Sequence, residues 1–409
     1  MNQAHTHDLL IVGGGMVGAS LAIALSGRGL RIGLIEAFPP GDPGQPSYDD
    51  RAIALAYGSR RIFEAMQLWD DIADDAEPIA DIHVSDRGHF GFSHLSAQEE
   101  NVPALGYVVT ARRLGHSLIG RMRECDDVEL IAPAKVTAVS SDEDAAHVQV
   151  QREAEQLALS AAVLIAADGG KSFVREQLQL PTQRWEYGQS AIVTNITPSK
   201  PHGNVAYERF TDSGPVALLP MSEGRCAVVW TVRDEDVESV MALDDEEFLK
   251  AFQERFGYRL GRFERVGKRA SYPLSLLRVK ESVRGRIAII GNAAHTLHPI
   301  AGQGFNLGIR DVSALVDVLT QAQADGIDLG ATAVLRKYED WRRGEQRNIA
   351  LATDGLARLF SNPLAPVRFG RNLGLLAMDL VPGARHQLAR AAMGLVGKLP
   401  RLGRGVAPE

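Results

Sequence analysis

Three glycine-rich stretches of the chain carry residue types from which phosphate-binding chemistry can be built. The first is Gly13-x-Gly15-x-x-Gly18, which follows an apolar run and is itself followed 18 residues later by Glu36. Glycines at this spacing permit a tight turn and let the backbone approach a pyrophosphate. A helix starting there offers free N–H groups and the positive end of its dipole. Glu36, at the end of the next apolar run, is placed to accept hydrogen bonds from ribose hydroxyls. The reading is dinucleotide binding, and the fingerprint alone leaves NAD and FAD open. The second stretch, AADGGKSFVRE at 166–176, holds Asp168, Gly169, Ser172 and Arg175; its plainer reading is a helix capped by Ser172 and an arginine paired locally. The third, GNAAHTLHPIAGQGFNLGIRD at 291–311, has Gly291-Asn292 and then Gly302-x-Gly304 before a helical pattern. Backbone N–H groups at a helix start without side chains suit a group that gathers negative charge. His295 and His298 form an HxxH pair, but no carboxylate or third histidine stands at ligand spacing, so no metal site is expected.

The elements that must position these turns alternate at the start of the chain. Residues 8–12 read as a strand, 13–18 as the turn, 19–26 as a helix and 31–35 as a second strand, which implies a parallel sheet. A loop rich in Pro, Gly, Asp and Ser spans 39–50, and a helical pattern covers 52–68. Short strand-like pieces occupy 82–109. After 181 they dominate, at 205–210, 215–221 and 225–232, and predict an antiparallel sheet. Strands of the first kind return at 163–166 and 286–290, each followed by a glycine turn. The expected fold is therefore α/β: a Rossmann-like domain assembled from three separated pieces, an inserted antiparallel β-sheet domain, and C-terminal helices beyond about residue 354, broken near 363–366 and 382–383. Insertions of this kind leave crevices, and crevices hold ligands.

Composition narrows the function classes. The 409 residues include 45% hydrophobic types, enough for a large core, and 44 basic against 51 acidic residues give a net charge of −7. That balance argues against a nucleic-acid partner. The apolar run at 9–27 lacks the basic flank of a secretory signal and reads as fold. No other long apolar run is free of glycine and charge, so no spanning helix is expected. Cys125 and Cys226 stand far apart and read as core residues in a reducing compartment.

The N-terminal fingerprint, the DGxxSxxR segment and the GNAAHxxxP segment together resemble the single-component flavin-dependent aromatic hydroxylases, which are similar in fold to p-hydroxybenzoate hydroxylase. The string HPIAGQGFNLGIRD at 298–311 resembles the signature of their ubiquinone-biosynthesis subfamily, and the likeness runs from about residue 7 to 350. Within that subfamily, Asn292 in place of the usual Asp, with TLHPIAGQGFNLG around it, is most similar to the members that hydroxylate 2-polyprenyl-6-methoxyphenol. The resemblance implies FAD as cofactor, with NAD(P)H and O2 as co-substrates and a flavin hydroperoxide as the hydroxylating species. It divides the chain into FAD-binding pieces at 1–80, 104–180 and 274–350, a substrate domain at 81–103 and 181–273, and a basic helical region at 351–409.

For individual residues, the resemblance implies that Gly13, Gly15, Gly18 and Glu36 hold the nucleotide end of FAD, and that the segment of Asp168 touches the cofactor or the nicotinamide substrate. Arg51, at what reads as a helix start, would lie near the flavin. Arg112 would reach the flavin phosphates, with Arg113 as the neighbouring alternative. Gly291, Asn292, Gln303 and Asn306 would surround the ribityl and ring end, and Pro299 through Gly304 would lie along the isoalloxazine. Asn keeps an acceptor for a flavin hydroxyl but lacks the charge of Asp, so cofactor retention should be looser. No catalytic base is named by the sequence. Leu218, Leu219 and Pro220 are the candidate substrate lining, with plain sheet core as the alternative.

Residues 361–409 carry seven Arg or Lys against Asp379 and Glu409. Arg368, Arg371, Arg385, Arg390, Lys398 and Arg401 stand beside leucines, which suggests an anionic membrane surface or a ubiquinone-biosynthesis complex as partner; packing back onto the FAD domain is the alternative. The expected location is cytoplasmic, peripheral to the inner membrane. Two other readings remain open here: a hydroxylase of a soluble phenol, and a flavoprotein kept as an idle scaffold of a biosynthetic assembly.

Overall fold

The structure is a computed structural model that describes residues 5–39, 42, 51–362 and 364–407. Most of the loop expected at 39–50, and Pro363 in the expected helix break, lie outside the described residues. The first sheet has the strand order Val283–Arg284, Ile287–Ile289, Glu155–Ala166, His7–Val12, Ile32–Ile35, Val128–Ile131. His7–Val12 runs parallel to both Ile32–Ile35 and Glu155–Ala166, with Ile11 opposite Ile165, and Ile287–Ile289 adds in parallel beyond, with Ala288 opposite Ile165. These strands are short unbroken apolar runs because both faces are covered. One face packs on the buried helix Met16–Leu25 and on Gln303–Ala324, the other on an antiparallel extension, Lys135–Ser141 and Ala146–Arg152.

The second sheet runs from His295–Thr296 through Ala270–Val279, Thr182–Pro198, Cys226–Arg233, Gly214–Pro220, Val205–Thr211 and Asp81–Asp86 to Phe92–Ser96. It is antiparallel except where Val205–Thr211 pairs in parallel with Asp81–Asp86. The helix Asp245–Phe256 covers its far side, fixed at its start by a reciprocal capping box between Asp244 and Glu247. A third sheet, Ala52–Ala56 with Gly106–Thr110 and Glu77–Ile79, lies between the two large ones. The helix expected over 52–68 is therefore corrected: residues 52–56 are a strand, the helix is Tyr57–Ala65, and Arg51 precedes a strand. Antiparallel pairing with Gly106–Thr110 outweighs the weak helical pattern of AIALA.

At the C-terminus the helices are Thr332–Ser361, Ala365–Leu380 and Pro382–Ala392. The second is locked onto the second sheet by a buried ion pair: Arg371 Nε lies 2.9 Å from Asp86 Oδ2, to which Asn372 also donates at 2.8 Å. Arg371 is thus a buried anchor, and its expected exposure to a membrane or partner is corrected. Asp86 is a buried carboxylate that must be met by a cation and donors. Downstream, Arg385 pairs with Glu99, Lys398 lies 4.6 Å from the Trp341 ring centroid, and Leu402 is buried in the core of the first sheet and its helices. Much of the basic tail therefore packs back on the body. No helix among the described residues is long and apolar enough to cross a membrane.

Candidate functional site

The fingerprint loop is built where side chains cannot fit. Gly13 has φ +103°, and a Cβ on it would lie 2.6 Å from the carbonyl oxygen of Ala167. A Cβ on Gly18 would lie 1.9 Å from the carbonyl oxygen of Gly13. Gly15 opens the helix Met16–Leu25, whose first turn carries no acidic residue to oppose a phosphate. Glu36 closes on the same loop: its carboxylate accepts from Gly14 N–H at 2.7 Å and from Phe38 N–H at 2.9 Å.

The second turn abuts the first through Ala167. Asp168 Oδ2 accepts from the N–H of Val174 at 3.1 Å, while Oδ1 is buried and accepts no hydrogen bond from the described residues. Burial raises its pKa, against the Ser172 hydroxyl and the Val174 N–H. An orphaned acceptor costs stability unless a ligand donates to it. Ser172 caps the helix Phe173–Gln177 by accepting from Arg175 N–H. The buried Arg175 guanidinium donates to the carbonyls of Gly170 at 2.8 Å and Ala293 at 2.9 Å, clamping the second turn to the third.

The third turn is held from behind. Asp311, fully buried, accepts from Gly291 N–H at 3.1 Å, Arg342 Nε at 2.8 Å and Gln346 Nε2 at 2.9 Å, and lies 2.6 Å from His295 Nε2. Burial would raise its pKa, but His295 and Arg342 together hold the carboxyl below the ordinary range. Gly291 has φ +59° and packs on Val17, whereas Asn292 is exposed beside it. His298 points elsewhere, edge-on to Tyr187 at 5.1 Å, and burial pulls its pKa down to about 4. The two histidines do not converge.

Pro299 leads into two consecutive left-handed residues, Ala301 (φ +57°) and Gly302 (φ +60°), and then into the helix Gln303–Ala324. A Cβ on Gly302 would meet the Cβ of Ala54 at 3.0 Å, while Gly304 faces open space. Gln303 donates to the Ala392 carbonyl at 3.2 Å. Asn306 is buried and fully engaged: it accepts from Ala56 N–H at 2.8 Å and Ser59 Oγ at 2.7 Å, and donates to the carbonyls of Ala54 at 2.8 Å and Gly302 at 2.7 Å. It staples the Pro299–Gly302 turn to the third sheet.

Around these turns, the Arg51 guanidinium lies 4.9 Å over the Tyr272 ring, joining the FAD side to the substrate sheet. Arg112 is exposed at the start of the helix Ala111–Arg123, whereas Arg113 is tied to the Asp71 carbonyl and to Asp75, both at 2.6 Å. Leu218 is corrected as substrate lining: it is buried with Val228, Trp230 and Phe248 on the far side of the sheet. Adjacent strand residues point to opposite faces, so Leu219 is the one turned toward Ala52, Ile79 and Val108. Pro220, at the end of the same strand, is buried.

The same alternation exposes a residue that sequence reasoning missed. In Val205–Thr211, Tyr207 packs on Phe256 on the far side, while Ala206 and Phe210 face the FAD side. Glu208 therefore faces that side with them, opposite Ala217 on one neighbouring strand and Val84 on the other. Burial pushes its carboxyl up to about 7, against a hydrogen bond from the Ala301 N–H. The signal in the sequence was one acid at an inward position of AYERFT.

A profile of the FAD binding domain family matches residues 6–347. The chain is 38% identical over 402 residues to ubiquinone hydroxylase UbiL of Rhodospirillum rubrum, covering 98% of this chain and 93% of that one. It belongs to the FAD-dependent ubiquinone-biosynthesis hydroxylases. The hydroxylase is also 30% identical to 3-demethoxyubiquinol 3-hydroxylase of Escherichia coli, covering 95% of this chain and 98% of the relative. Among solved structures it superposes on p-nitrophenol 4-monooxygenase PnpA from Pseudomonas putida with a TM-score of 0.79 at 20% identity, covering 96% of this chain and 98% of that one. FAD is its cofactor and NAD(P)H its co-substrate. The Gly13–Gly18 cradle, the unpartnered Asp168 oxygen and the open space at Gly304 fit such a group.

Proposed function

We propose that this hydroxylase acts on a polyprenyl phenol, 2-polyprenyl-6-methoxyphenol, with NAD(P)H as reductant and O2 as the oxygen source. The observation that carries the reading is the character of the substrate-sheet face turned toward the 299–304 loop. Phe210, packed on Ile300, with Ala206 and Leu219 beside it against the third sheet, makes it apolar apart from Glu208, and the neighbouring Arg209 points the other way, donating to the Phe256 carbonyl. A soluble carboxylated phenol would call for a cation on the near face. The bound flavin supplies the redox and oxygen chemistry. The chain positions the phenol and keeps water from the reacting atoms.

Deleting the gene and identifying the precursor that accumulates tests this reading. 2-Polyprenyl-6-methoxyphenol is the expected species. Accumulation of a demethoxyubiquinol, the substrate class in the name of the Escherichia coli relative, would move the reaction to another ring position, and unchanged quinone would defeat the assignment.

The proposal extends to an anionic membrane surface as the place where this insoluble substrate is met. Leu364, Phe369, Leu373, Leu380 and Val381 are exposed along and beside the helix Ala365–Leu380, with Arg368 and Arg390 also exposed. Such a combination of apolar and basic side chains suits an interfacial position. Removing the tail would also unlock Asp86, so point variants are the cleaner probe. Leu373→Asp with Leu380→Asp is expected to cut co-sedimentation with anionic vesicles by about tenfold, on the order of 1.4 kcal/mol. Undiminished binding by the double variant would remove the idea.

A further inference from the structure

We propose that Glu208 is the catalytic base of this hydroxylase, removing the proton from the phenolic oxygen of the substrate. The inference rests on the phenol reading above. Three features of geometry carry it. Glu208 projects from the middle of Val205–Thr211 on the face turned to the FAD side, between Ala206 and Phe210. Its flanks are apolar, with Ala217 and Val84 on the adjoining strands. The Ala301 N–H, in the turn Ile300–Gly302, lowers its pKa, so the carboxyl and that turn are neighbours. Sheet and loop meet here, through Glu208 at Ala301 and Phe210 at Ile300, so a ring bound along the loop would reach the carboxylate at the edge of that contact.

The charged and titratable groups on the surrounding elements have other partners. Asp86 is paired with Arg371, Asp354 with Arg358 and Tyr187, His298 packs on Tyr187, and Arg51 lies over Tyr272. On the far side of the sheet, His83 and Arg259 flank Tyr207. Burial and the Ala301 N–H therefore set the basicity of Glu208. A carboxyl raised to about 7 stands closer to a phenol's value of about 10 than an ordinary glutamate does, which is the condition for efficient proton transfer near neutral pH.

The proton accounting closes on the chain. The phenolic O–H gives its proton to the Glu208 carboxylate, leaving a phenolate whose ring carbon is electron-rich. The ring carbon gains its C–O bond as the O–O bond of the O2-derived oxidant breaks, the C–H proton at that carbon leaves to solvent, and the second oxygen atom takes up protons and departs as water, the two electrons coming from NAD(P)H. The original phenolic oxygen then takes its proton back from Glu208, and the carboxylate is restored. NAD(P)H remains the reductant and O2 the oxidant.

The test uses full-length holoenzyme and 2-methoxy-6-geranylphenol as probe, together with a ring-fluorinated analogue whose phenol ionises more readily. Glu208→Gln is expected to hydroxylate the parent phenol about 10²–10³-fold more slowly, and the fluorinated phenol to within about tenfold of wild type. Wild-type rate rises with pH and levels off above about 7, while the variant follows only the phenol's own ionisation. Glu208→Asp retains part of the rate and of the wild-type pH profile.

A purely structural role would make Glu208→Gln less stable than wild type. A carboxyl raised by burial favours the neutral form, so its contribution to stability is present below the unfolded value and lost as pH rises through the folded one. Glu208→Gln should therefore melt no lower than wild type at pH 8, with flavin content intact. A wild type that turns over the phenol alongside an equally active Glu208→Gln overturns the assignment of the base alone. A wild type inert toward both phenols overturns the phenol reading and the assignment with it.

Discussion

Gly18→Ala is expected to purify without yellow colour and to bind added FAD at least about 100-fold more weakly than wild type, a loss of about 2.7 kcal/mol. The cause is local. A methyl group at residue 18 would lie 1.9 Å from the carbonyl oxygen of Gly13, and both partners are backbone, so no side chain can rotate away. Relief requires moving Gly13, which at φ +103° already rests against Ala167. The first and second glycine turns would part together. Gly304→Ala is the informative companion, because a Cβ there meets nothing within 4 Å. Alanine in the first turn of a helix is neutral or stabilising for the apoprotein, so a selective fall in flavin affinity would mark that space as the cofactor's. Visible absorbance of the purified proteins and fluorescence titration with FAD measure both. Full flavin occupancy in Gly18→Ala would refute the prediction.

The second large effect is expected at Asp311. Asp311→Ala removes the acceptor shared by Gly291, Arg342, Gln346 and His295 in a site without solvent. Arg342 keeps its ion pair with Glu345, yet a buried guanidinium stripped of one carboxylate is costly. A loss of about 3–5 kcal/mol in unfolding free energy is expected, read by denaturant titration. The pH dependence carries a sign. The folded-state carboxyl is held below its unfolded value of about 3.9, so its contribution is fully present above that value and is lost as pH falls below it. Wild type should lose stability in that acid range, and the variant should lack this part of the slope. A variant as stable as wild type at pH 7 would show that the network is dispensable.

The parts of this molecule that were legible in sequence were those governed by local rules. The glycine fingerprint, the apolar strands at 163–166 and 286–290 and the proline-bounded C-terminal helices each have a signal in a few neighbouring residues. Where a choice depended on which face a residue takes, the sequence was silent or misleading. Leu218 and Leu219 are identical in type and adjacent, and only the position of the helix Asp245–Phe256 decides which of them is core. Arg371 resembles its basic neighbours until Asp86, 285 residues earlier, is brought beside it. Residues 52–56 took strand form because of a partner some 50 residues on. Asn306 matches a family motif, yet all its hydrogen-bonding capacity is used to join two pieces of protein. Glu208 drew no notice because a strand with one acid reads as half-solvated until the face it shares with Phe210 is seen to be covered.

The strand order of the first sheet bears on how the protein is made. Glu155–Ala166 lies between His7–Val12 and Ile287–Ile289, so the central ladder waits until most of the chain has left the ribosome. Contacts this remote close slowly, and during synthesis the early strand stands with one edge bare for many seconds. A nascent chain halted before residue 287 would lack the strand Ile287–Ile289 that pairs with Glu155–Ala166, and would leave that edge of the parallel sheet open.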